Sequence, residues 1–322
     1  MNLKGKTWKT TDTEVVAPLA TRTPILDNGD IEFKREEIRD YFHQTFTLYE
    51  SLFGCLTSED AFLTRANRLR HPLIFYYGHT AVFFINRMNI ANLIDTRIDP
   101  KLESMLAVGV DEMSWDDLNE DHYDWPTSAE VKSYRDKTRK FIDQFIRRCD
   151  LTLPIDWNSP LWIVLMGIEH ERIHLETSSV LLRELPLELV HDHLVWGRIC
   201  RQTGFAPMNQ LIPVAGGVVE LGKERTNPLY GWDVEYGYSA EEVKAYAASK
   251  YLVSNQEFRD FLEAGGYQNL QYWTAEGRDW LDFSHARHPV YWIKNGDQYN
   301  YRSMLQVIEM PWNWPVETNY LE

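Results

Sequence analysis

Cysteines are few in this sequence, and long apolar runs are absent from it. Its 322 residues include three cysteines, Cys55, Cys149 and Cys200, which lie far apart and form no CxxC pair. An odd number of separated cysteines argues against a disulfide framework and fits a reducing compartment. No run approaches the roughly 18 apolar residues of a membrane span, and the N-terminus lacks the apolar segment of a signal peptide. We therefore expect a cytoplasmic protein with no membrane partner.

Basic residues are also in deficit. The chain has 33 Lys and Arg against 48 Asp and Glu, which gives a formal net charge of −15. A nucleic-acid-binding protein needs a basic patch, so we expect no nucleic-acid partner. The apolar fraction of 44% and the charged fraction of 25% are ordinary for a globular protein. A chain of this length has room for two domains.

Four segments in the first two thirds of the chain have the apolar spacing of long helices. The second is apolar nearly all round, which is typical of a buried helix. In the fourth, Ser159 suits the N-cap, Pro160 suits the first helical position, and Pro186 ends the run. Together they predict a four-helix bundle. The predicted helices cover residues 34–53, 69–93, 127–149 and 159–185.

The fourth predicted helix carries the motif His170-Glu171-x-x-His174. Residues four apart lie on one face of a helix, so the two imidazoles point the same way and can bind one metal ion. The alternative is two core histidines, each bonded to a backbone carbonyl. Glu171 and Glu176 favour the metal, because nearby carboxylates orient metal-bound imidazoles. Glu171 and Glu176 are the candidates for orienting the metal-bound imidazoles in this way.

His79 lies within the second predicted helix. Taken alone it reads as a core histidine, but beside a histidine pair on another buried helix it becomes the natural third ligand. Three protein ligands with open positions are typical of a catalytic metal site. Asn86 and Arg87 follow two turns later near the same face. They are candidate substrate-binding residues, with a helix end that reaches solvent as the alternative.

The remaining segments are less regular. Residues 94–128 mix acids with aromatics and indicate a solvated loop rather than a cation site. After residue 205 the helical pattern stops. Val214–Leu221, with Gly216 and Gly217 inside it, predicts a strand around a turn, and residues 254–264 predict a short helix. The expected division is an N-terminal arm over 1–33, a helical bundle over 34–205 and an α+β domain over 206–322.

The histidine motif also satisfies the zinc-protease pattern, in which Glu171 would be the general base. A metzincin needs a Gly and a third His just downstream, where this chain has Thr177-Ser178-Ser179-Val180 instead. His79 has no place in that scheme. A further alternative is a binding module without catalysis, in which a helical bundle is joined to a lectin-like domain. A redox metal that reacts with oxygen at a three-histidine site would exclude it.

Three motifs, at residues 75–81, 109–118 and 166–176, resemble the 5-histidylcysteine sulfoxide synthases of ovothiol biosynthesis. More broadly, they resemble the ergothioneine-type sulfoxide synthases. The resemblance covers nearly the whole chain. It implies a DinB-like four-helix bundle followed by the first part of a formylglycine-generating-enzyme-like domain of the C-type lectin kind. Residues 213–217 and 251–267 look like the opening of that second domain.

The resemblance implies a mononuclear non-haem Fe(II) held by His79, His170 and His174, with O₂ and a cysteine thiolate at the open positions. The implied reaction couples the sulfur of L-cysteine to the imidazole of L-histidine and oxidises it to a sulfoxide. In the ergothioneine branch, the residue before the second histidine of the pair is commonly Gln. Here it is Ile173, which favours free histidine over trimethylated histidine.

The resemblance also bears on the end of the sequence. Glu322 corresponds to a position inside the lectin-like domain. We therefore expect an active-site tyrosine beyond residue 322. The rest of that domain, and the methyltransferase domain that usually follows it in the ovothiol branch, are expected as further partners of this chain.

Overall fold

A computed structural model describes residues 22–107, 123–200, 202 and 204–322. These residues form two compact units. One extends to Gly197 and includes Lys223–Tyr236, and the other comprises Arg198–Gly222 and Gly237–Glu322. Most of the predicted N-terminal arm and the motif at 109–118 lie outside the described residues. The domain boundary at residue 205 stays a prediction.

The first unit is a helical bundle. Its four long helices are α1, α3, α5 and α6, as the apolar spacing predicts, and the short helices α2 and α4 lie between them. Neither short helix was expected, since one turn or so of helix leaves no apolar period to detect. The bounds are α1 Ile31–Phe53, α2 Glu59–Leu63, α3 Leu73–Ile90, α4 Pro100–Met105, α5 Ser128–Arg148 and α6 Pro160–Glu184.

Side-chain caps mark where two of the long helices, α1 and α5, begin. Helix α1 starts three residues before its predicted start, because the Asp30 side chain accepts a hydrogen bond from the Phe33 N–H. Thr127 and Glu130 form a reciprocal capping box at the start of α5. Ser159 is the N-cap residue of α6, but its hydroxyl bonds to Asp156 rather than to a helix N–H.

Helices α3 and α6 approach each other closely at one glycine. A Cβ atom added at Gly167 would lie 2.2 Å from Cε1 of Phe84, whose ring is fully buried on α3. That distance is shorter than any real carbon–carbon contact, so the Phe84 ring occupies the space that a side chain at position 167 needs. The same two helices carry all three predicted metal ligands. Their separation therefore sets the distance between His79 and His170.

A buried ion network connects α5 to three other helices. The Arg135 guanidinium is fully buried and lies 2.8 Å from a carboxylate oxygen of Glu171 on α6 and 3.1 Å from one of Glu50 on α1. It also donates to the Tyr77 carbonyl and the Thr80 hydroxyl on α3, at 2.8 and 2.9 Å. Buried charges need partners of this kind, because an unpaired charge is costly to remove from water.

The second unit contains small antiparallel sheets and two helices. The strand β1 (Leu211–Val214) pairs with β4 (Tyr246–Ser249), and β2 (Gly217–Leu221) pairs with β3 (Ser239–Val243). A third sheet has the order β5 (Trp292–Asn295), β6 (Gln298–Arg302), β7 (Val307–Glu309). The helices are α7 (Asn255–Glu263), which the sequence predicted, and α8 (Ala275–Ser284), which it did not. The core of this unit is rich in aromatics: Phe258, Tyr267, Trp273, Leu281, Trp292, Tyr301 and Met310.

The expected strand around a turn at Val214–Leu221 is two strands that belong to different sheets. Between them, a Cβ atom at Gly216 would lie 2.8 Å from the Ala245 nitrogen and 2.9 Å from the Val243 carbonyl oxygen. Only glycine permits this close backbone approach. The pairing partners are 18 to 38 residues away, so local turn residues could not reveal them.

Over the described ranges, every helix is either too short or too polar to cross a bilayer.

The close approach at Gly167 yields a stability prediction. Replacing Gly167 by Ala should lower the free energy of unfolding by about 1–3 kcal/mol, because the new methyl group overpacks against Phe84. Urea unfolding followed by the helical circular dichroism signal measures the change. Gly217→Ala is the matched control, since a Cβ there meets no atom within 4 Å. In an unobstructed helix Gly→Ala is stabilising, so a Gly167→Ala protein as stable as the wild type would contradict the packing described.

Candidate metal centre

Three histidine side chains converge in the interior of the helical unit. His79 comes from α3, and His170 and His174 come from successive turns of α6. Nε2 of His170 lies 3.3 Å from Nε2 of His79 and 3.1 Å from Nε2 of His174. One ligating nitrogen from each residue lies within 4.8 Å of the others, and within the described ranges this is the only group of three or more metal-ligating side chains.

The spacing of these nitrogens suits a single metal ion. Metal–imidazole bonds of about 2.1 Å at right to tetrahedral angles place neighbouring nitrogens roughly 3.0–3.4 Å apart. The two measured separations, 3.1 and 3.3 Å, fall in this interval. Imidazole nitrogen is a suitable donor for zinc, copper, iron and nickel, so the donor set fits a transition metal without selecting one.

Hydrogen bonding fixes which nitrogen of His79 faces the cluster. Nδ1 of His79 lies 2.8 Å from the carbonyl oxygen of Leu106, which can only accept, so Nδ1 carries the proton. Nε2 is then left with a lone pair that points toward His170. This is the arrangement of a metal-bound histidine, in which the ring N–H is held by a backbone carbonyl.

Aromatic rings fix the imidazole planes and keep water away from them. The Phe83 ring stacks on His170 with centroids 3.7 Å apart and an interplanar angle of 9°. The Phe75 ring stacks on His79 at 5.1 Å and 12°. Tyr76 lies over the third histidine, with its centroid 6.0 Å from that of His174. His79 and His170 are accordingly buried, and His174 is half-buried.

Burial keeps the imidazoles of the α6 pair neutral. It lowers the pKa of His174 to about 3, and the neighbouring His79 adds to the effect. The pKa of His170 also falls well below its usual value, chiefly through burial and then through the charges of His174, His79 and Arg87. Nδ1 of His170 is buried and has no hydrogen-bond partner among the described residues. Neutral nitrogens are the form that binds metal.

The two carboxylates predicted to orient the imidazoles have other surroundings. Glu171 is fully buried, and its carboxylate accepts hydrogen bonds from Arg135 and from Thr80. Glu176 is exposed on α6. In the part of the chain that the structure describes, neither carboxylate is bonded to one of the three imidazoles; Nδ1 of His174 lies 3.4 Å from the Thr177 hydroxyl instead. The hydrogen bonds therefore do not show Glu171 or Glu176 in the predicted role of orienting an imidazole.

The position of Glu171 also weighs against the zinc-protease alternative. A general base of that class must reach a metal-bound water, whereas the Glu171 carboxylate is held by the Arg135 guanidinium at 2.8 Å. The carboxylate that the motif would direct at a metal-bound water is instead engaged by Arg135 and by the Thr80 hydroxyl.

The candidate substrate-binding residues have different surroundings. Both polar atoms of the Asn86 amide are engaged: Nδ2 donates to the Glu103 carbonyl, and Oδ1 accepts from Arg97. Arg87 lies over the Phe83 ring, with its guanidinium carbon 5.0 Å from the ring centroid, on the residue that stacks against His170. Arg87 therefore lies closer to the candidate site than the predicted helix end suggested, and substrate binding by either residue stays a prediction.

Sequence reasoning missed three neighbours of the histidine cluster. The Leu106 carbonyl carries no side-chain signal and comes from the short helix α4. Phe75 and Phe83 belong to the second predicted helix, whose apolar pattern indicates burial but no contact with a histidine. Phe75 and Phe83 each lie four residues from His79 on α3. Residues with this spacing are neighbours on a helix, so the spacing could have shown the Phe75–His79 stack.

Comparison with known proteins identifies both units. Residues 41–178 match the family model of the DinB superfamily, and residues 199–319 match that of the sulfatase-modifying factor enzyme 1-like domain. The predicted fold class is thereby confirmed: a DinB-like helical domain is followed by a formylglycine-generating-enzyme-like domain. The histidine cluster lies in the DinB-like domain.

Two relatives share this chain's sequence over a large part of its length. It is 20% identical to ergothioneine biosynthesis protein 1 of Neurospora crassa over 226 residues, which are 63% of this chain and 25% of the relative. It is 27% identical to the hercynine oxygenase of Mycolicibacterium smegmatis over 169 residues, 52% of this chain and 37% of the relative. The matched parts thus span well under half of either relative.

The buried ion network beside the cluster yields a second prediction. Arg135→Ala should lower the free energy of unfolding by about 3–5 kcal/mol, because it leaves the Glu171 carboxylate buried without its cation. Urea unfolding measures the loss.

The double variant Arg135→Met with Glu171→Met is the matched control. It removes both charges and fills the space with apolar atoms, so it should recover much of the stability. A double variant less stable than Arg135→Ala would contradict this account of the network.

Proposed function

We propose that the protein is a non-haem iron- and oxygen-dependent sulfoxide synthase that joins the sulfur of L-cysteine to the imidazole of L-histidine. The product would be 5-histidylcysteine sulfoxide, the first intermediate of ovothiol biosynthesis. The observation that carries the proposal is the cluster of three imidazole nitrogens at distances that one metal ion can span, within a DinB-like domain. The names of the two relatives support the reaction class.

His79, His170 and His174 would hold the iron through their Nε2 atoms. Bound iron supplies the redox chemistry that activates dioxygen. Three ligands on one side leave coordination positions for other groups, as catalytic sites require. The chain's own contribution is to present three imidazole nitrogens, to fix the ring planes through Phe83 and Phe75, and to keep water away from the buried histidines.

The reaction balances with dioxygen as the oxidant. One imidazole C–H bond and one cysteine S–H bond break, and a C–S bond and an S–O bond form. The two substrates together lose four electrons to O₂. One oxygen atom enters the sulfoxide, and the other leaves as water with the two released protons. No further reductant is needed.

The identity of the imidazole substrate is the finer part of the proposal. Ile173, an exposed residue of α6 next to His174, stands where the ergothioneine branch commonly has Gln, and this favours free histidine. The names of the relatives fit the alternative substrate, trimethylated histidine (hercynine), equally well. Arg87 is the candidate for contact with a substrate carboxylate.

The metal ligands can be tested one at a time. His174→Ala should abolish stoichiometric binding of Fe(II) under anaerobic conditions, because two remaining imidazoles hold the ion far more weakly than three. Equilibrium dialysis with iron analysis gives the stoichiometry, and circular dichroism checks that the bundle stays folded. His191→Ala, which removes an exposed histidine outside the cluster, is the control. Unchanged iron stoichiometry in His174→Ala would contradict the assignment.

The reaction itself is tested by product analysis. The iron-loaded protein is mixed with cysteine, isotopically labelled dioxygen and either histidine or trimethylated histidine, and the products are examined by mass spectrometry. We expect a histidine–cysteine sulfoxide adduct that carries a single labelled oxygen atom. A larger yield with trimethylated histidine would select the ergothioneine-type alternative. An adduct that forms equally well in the His174→Ala variant would contradict the proposal.

A further inference from the structure

We propose that Glu103 is a positioning residue of the metal centre, which acts on His79 through the backbone of α4. The inference rests on the metal site proposed above and extends it to a residue outside the histidine cluster. Within the described ranges, no hydrogen bond joins Glu103 to any of the three clustered histidines. It holds the short helix that supplies the carbonyl of Leu106, and this carbonyl decides how His79 presents its Nε2 atom.

A hydrogen bond to the backbone of Leu106 holds the His79 ring. Nδ1 of His79 donates to this carbonyl over 2.8 Å, and Leu106 is fully buried. If the carbonyl moved away, either ring nitrogen of His79 could carry the proton. The tautomer protonated at Nε2 cannot bind a metal through that atom. The position of the Leu106 carbonyl therefore sets the fraction of protein whose site is ready for metal.

Helix α4 cannot by itself hold the Leu106 carbonyl in place. Helix α4 has six residues, Pro100–Met105, and Leu106 is its C-cap. A helix of this length is unstable in isolation, since its nucleation cost is not repaid by so few hydrogen bonds. Other contacts must therefore fix its place against α3.

Glu103 supplies those contacts. Its side chain is fully buried, and one carboxylate oxygen accepts from the Ile98 and Asp99 N–H groups, each at 2.9 Å, and from the Tyr134 hydroxyl at 3.1 Å. The other oxygen accepts from Nε of Arg97 at 2.5 Å. One carboxylate thus ties α4 to the loop before it and to α5. Charged acceptors give the stronger hydrogen bonds of this kind.

Asn86 closes the network onto α3. Its Oδ1 accepts from Arg97 at 2.6 Å, and its Nδ2 donates to the Glu103 backbone carbonyl at 3.0 Å. Asn86 lies seven residues after His79 on the same helix. Asn86 therefore ties α4 directly to α3, the helix that carries His79.

Gly78 lets α4 come close enough. A Cβ atom at this position would lie 2.4 Å from Cδ1 of Leu106 and 3.2 Å from Cγ1 of Val131. The glycine directly before His79 thus makes room for the residue whose carbonyl bonds to His79. Gly78 and the buried carboxylate of Glu103 are 25 residues apart in sequence, yet both help to place the Leu106 carbonyl against His79.

The test compares Glu103→Ala and Glu103→Gln with the wild type. Glutamine keeps one acceptor for the backbone N–H groups but turns an amide N–H₂ toward Arg97, so it should give an intermediate effect. Ile146→Ala is the control for destabilisation alone, because Ile146 is a fully buried residue at the other end of α5 from Tyr134. Circular dichroism and thermal unfolding establish that each variant is folded at the temperature of measurement.

Two measurements follow, both independent of activity. Co(II) titration, monitored by visible absorption, gives the metal affinity. Nitrogen-15 NMR of the metal-free protein gives the tautomer of His79. We expect Glu103→Ala to weaken Co(II) binding about 10- to 100-fold, as loss of an outer partner of a metal ligand does. We also expect His79 to change from protonation at Nδ1 alone to a mixture of tautomers. Ile146→Ala should change neither quantity.

A folded Glu103→Ala protein with wild-type Co(II) affinity and a wild-type His79 tautomer would overturn the proposal. If that variant does not fold, the same unchanged result in Glu103→Gln overturns it. A wild-type protein that binds no Co(II) would instead count against the proposed metal site. In that event the tautomer of His79 still decides whether Glu103 positions the ring.

Discussion

The close approach of α3 and α6 is the constraint on which the candidate site depends. The Phe84 ring of α3 packs directly on Gly167 of α6, so no side chain of α6 separates the two helices at this point. This contact brings an imidazole from α3 within 3.3 Å of one from α6. The spacing of His170 and His174 follows from the pitch of a single helix, whereas the third nitrogen depends on how two helices pack. A site of this type is therefore as precise as the core that supports it.

Buried polar groups surround this core on two sides. The Arg135 network lies beside Glu171, and the Glu103 network lies beneath the carbonyl that holds His79. Each contains charged groups that are costly to remove from water and that gain stability only from complete pairing. A core of apolar residues would be simpler to stabilise. We interpret the two networks as the means by which the bundle fixes the orientation of its histidine-bearing helices, in addition to their separation.

Much of the helical domain could be predicted from the sequence, because long amphipathic helices repeat a clear apolar period and their caps are local. The i, i+4 spacing placed His170 and His174 together without knowledge of the fold. The grouping with His79 needed either the family resemblance or the argument that buried histidines seek partners. What the sequence could not show were contacts made across long separations by groups without a pattern. The Leu106 carbonyl is 27 residues from His79, and Arg135 is 36 residues from Glu171. The pairing of β1 and β2 with different strands was hidden for the same reason.

We propose that His79, His170 and His174 form one iron site with open positions. Nitric oxide, a stand-in for dioxygen, can be added to the anaerobic Fe(II)-loaded protein and the EPR spectrum recorded. We expect an iron–nitrosyl signal of about one spin per chain, since a three-ligand site leaves room for the added diatomic molecule. The signal should be absent from the His170→Ala variant. A wild-type protein that binds Fe(II) but gives no nitrosyl signal, or an undiminished signal in His170→Ala, would contradict it.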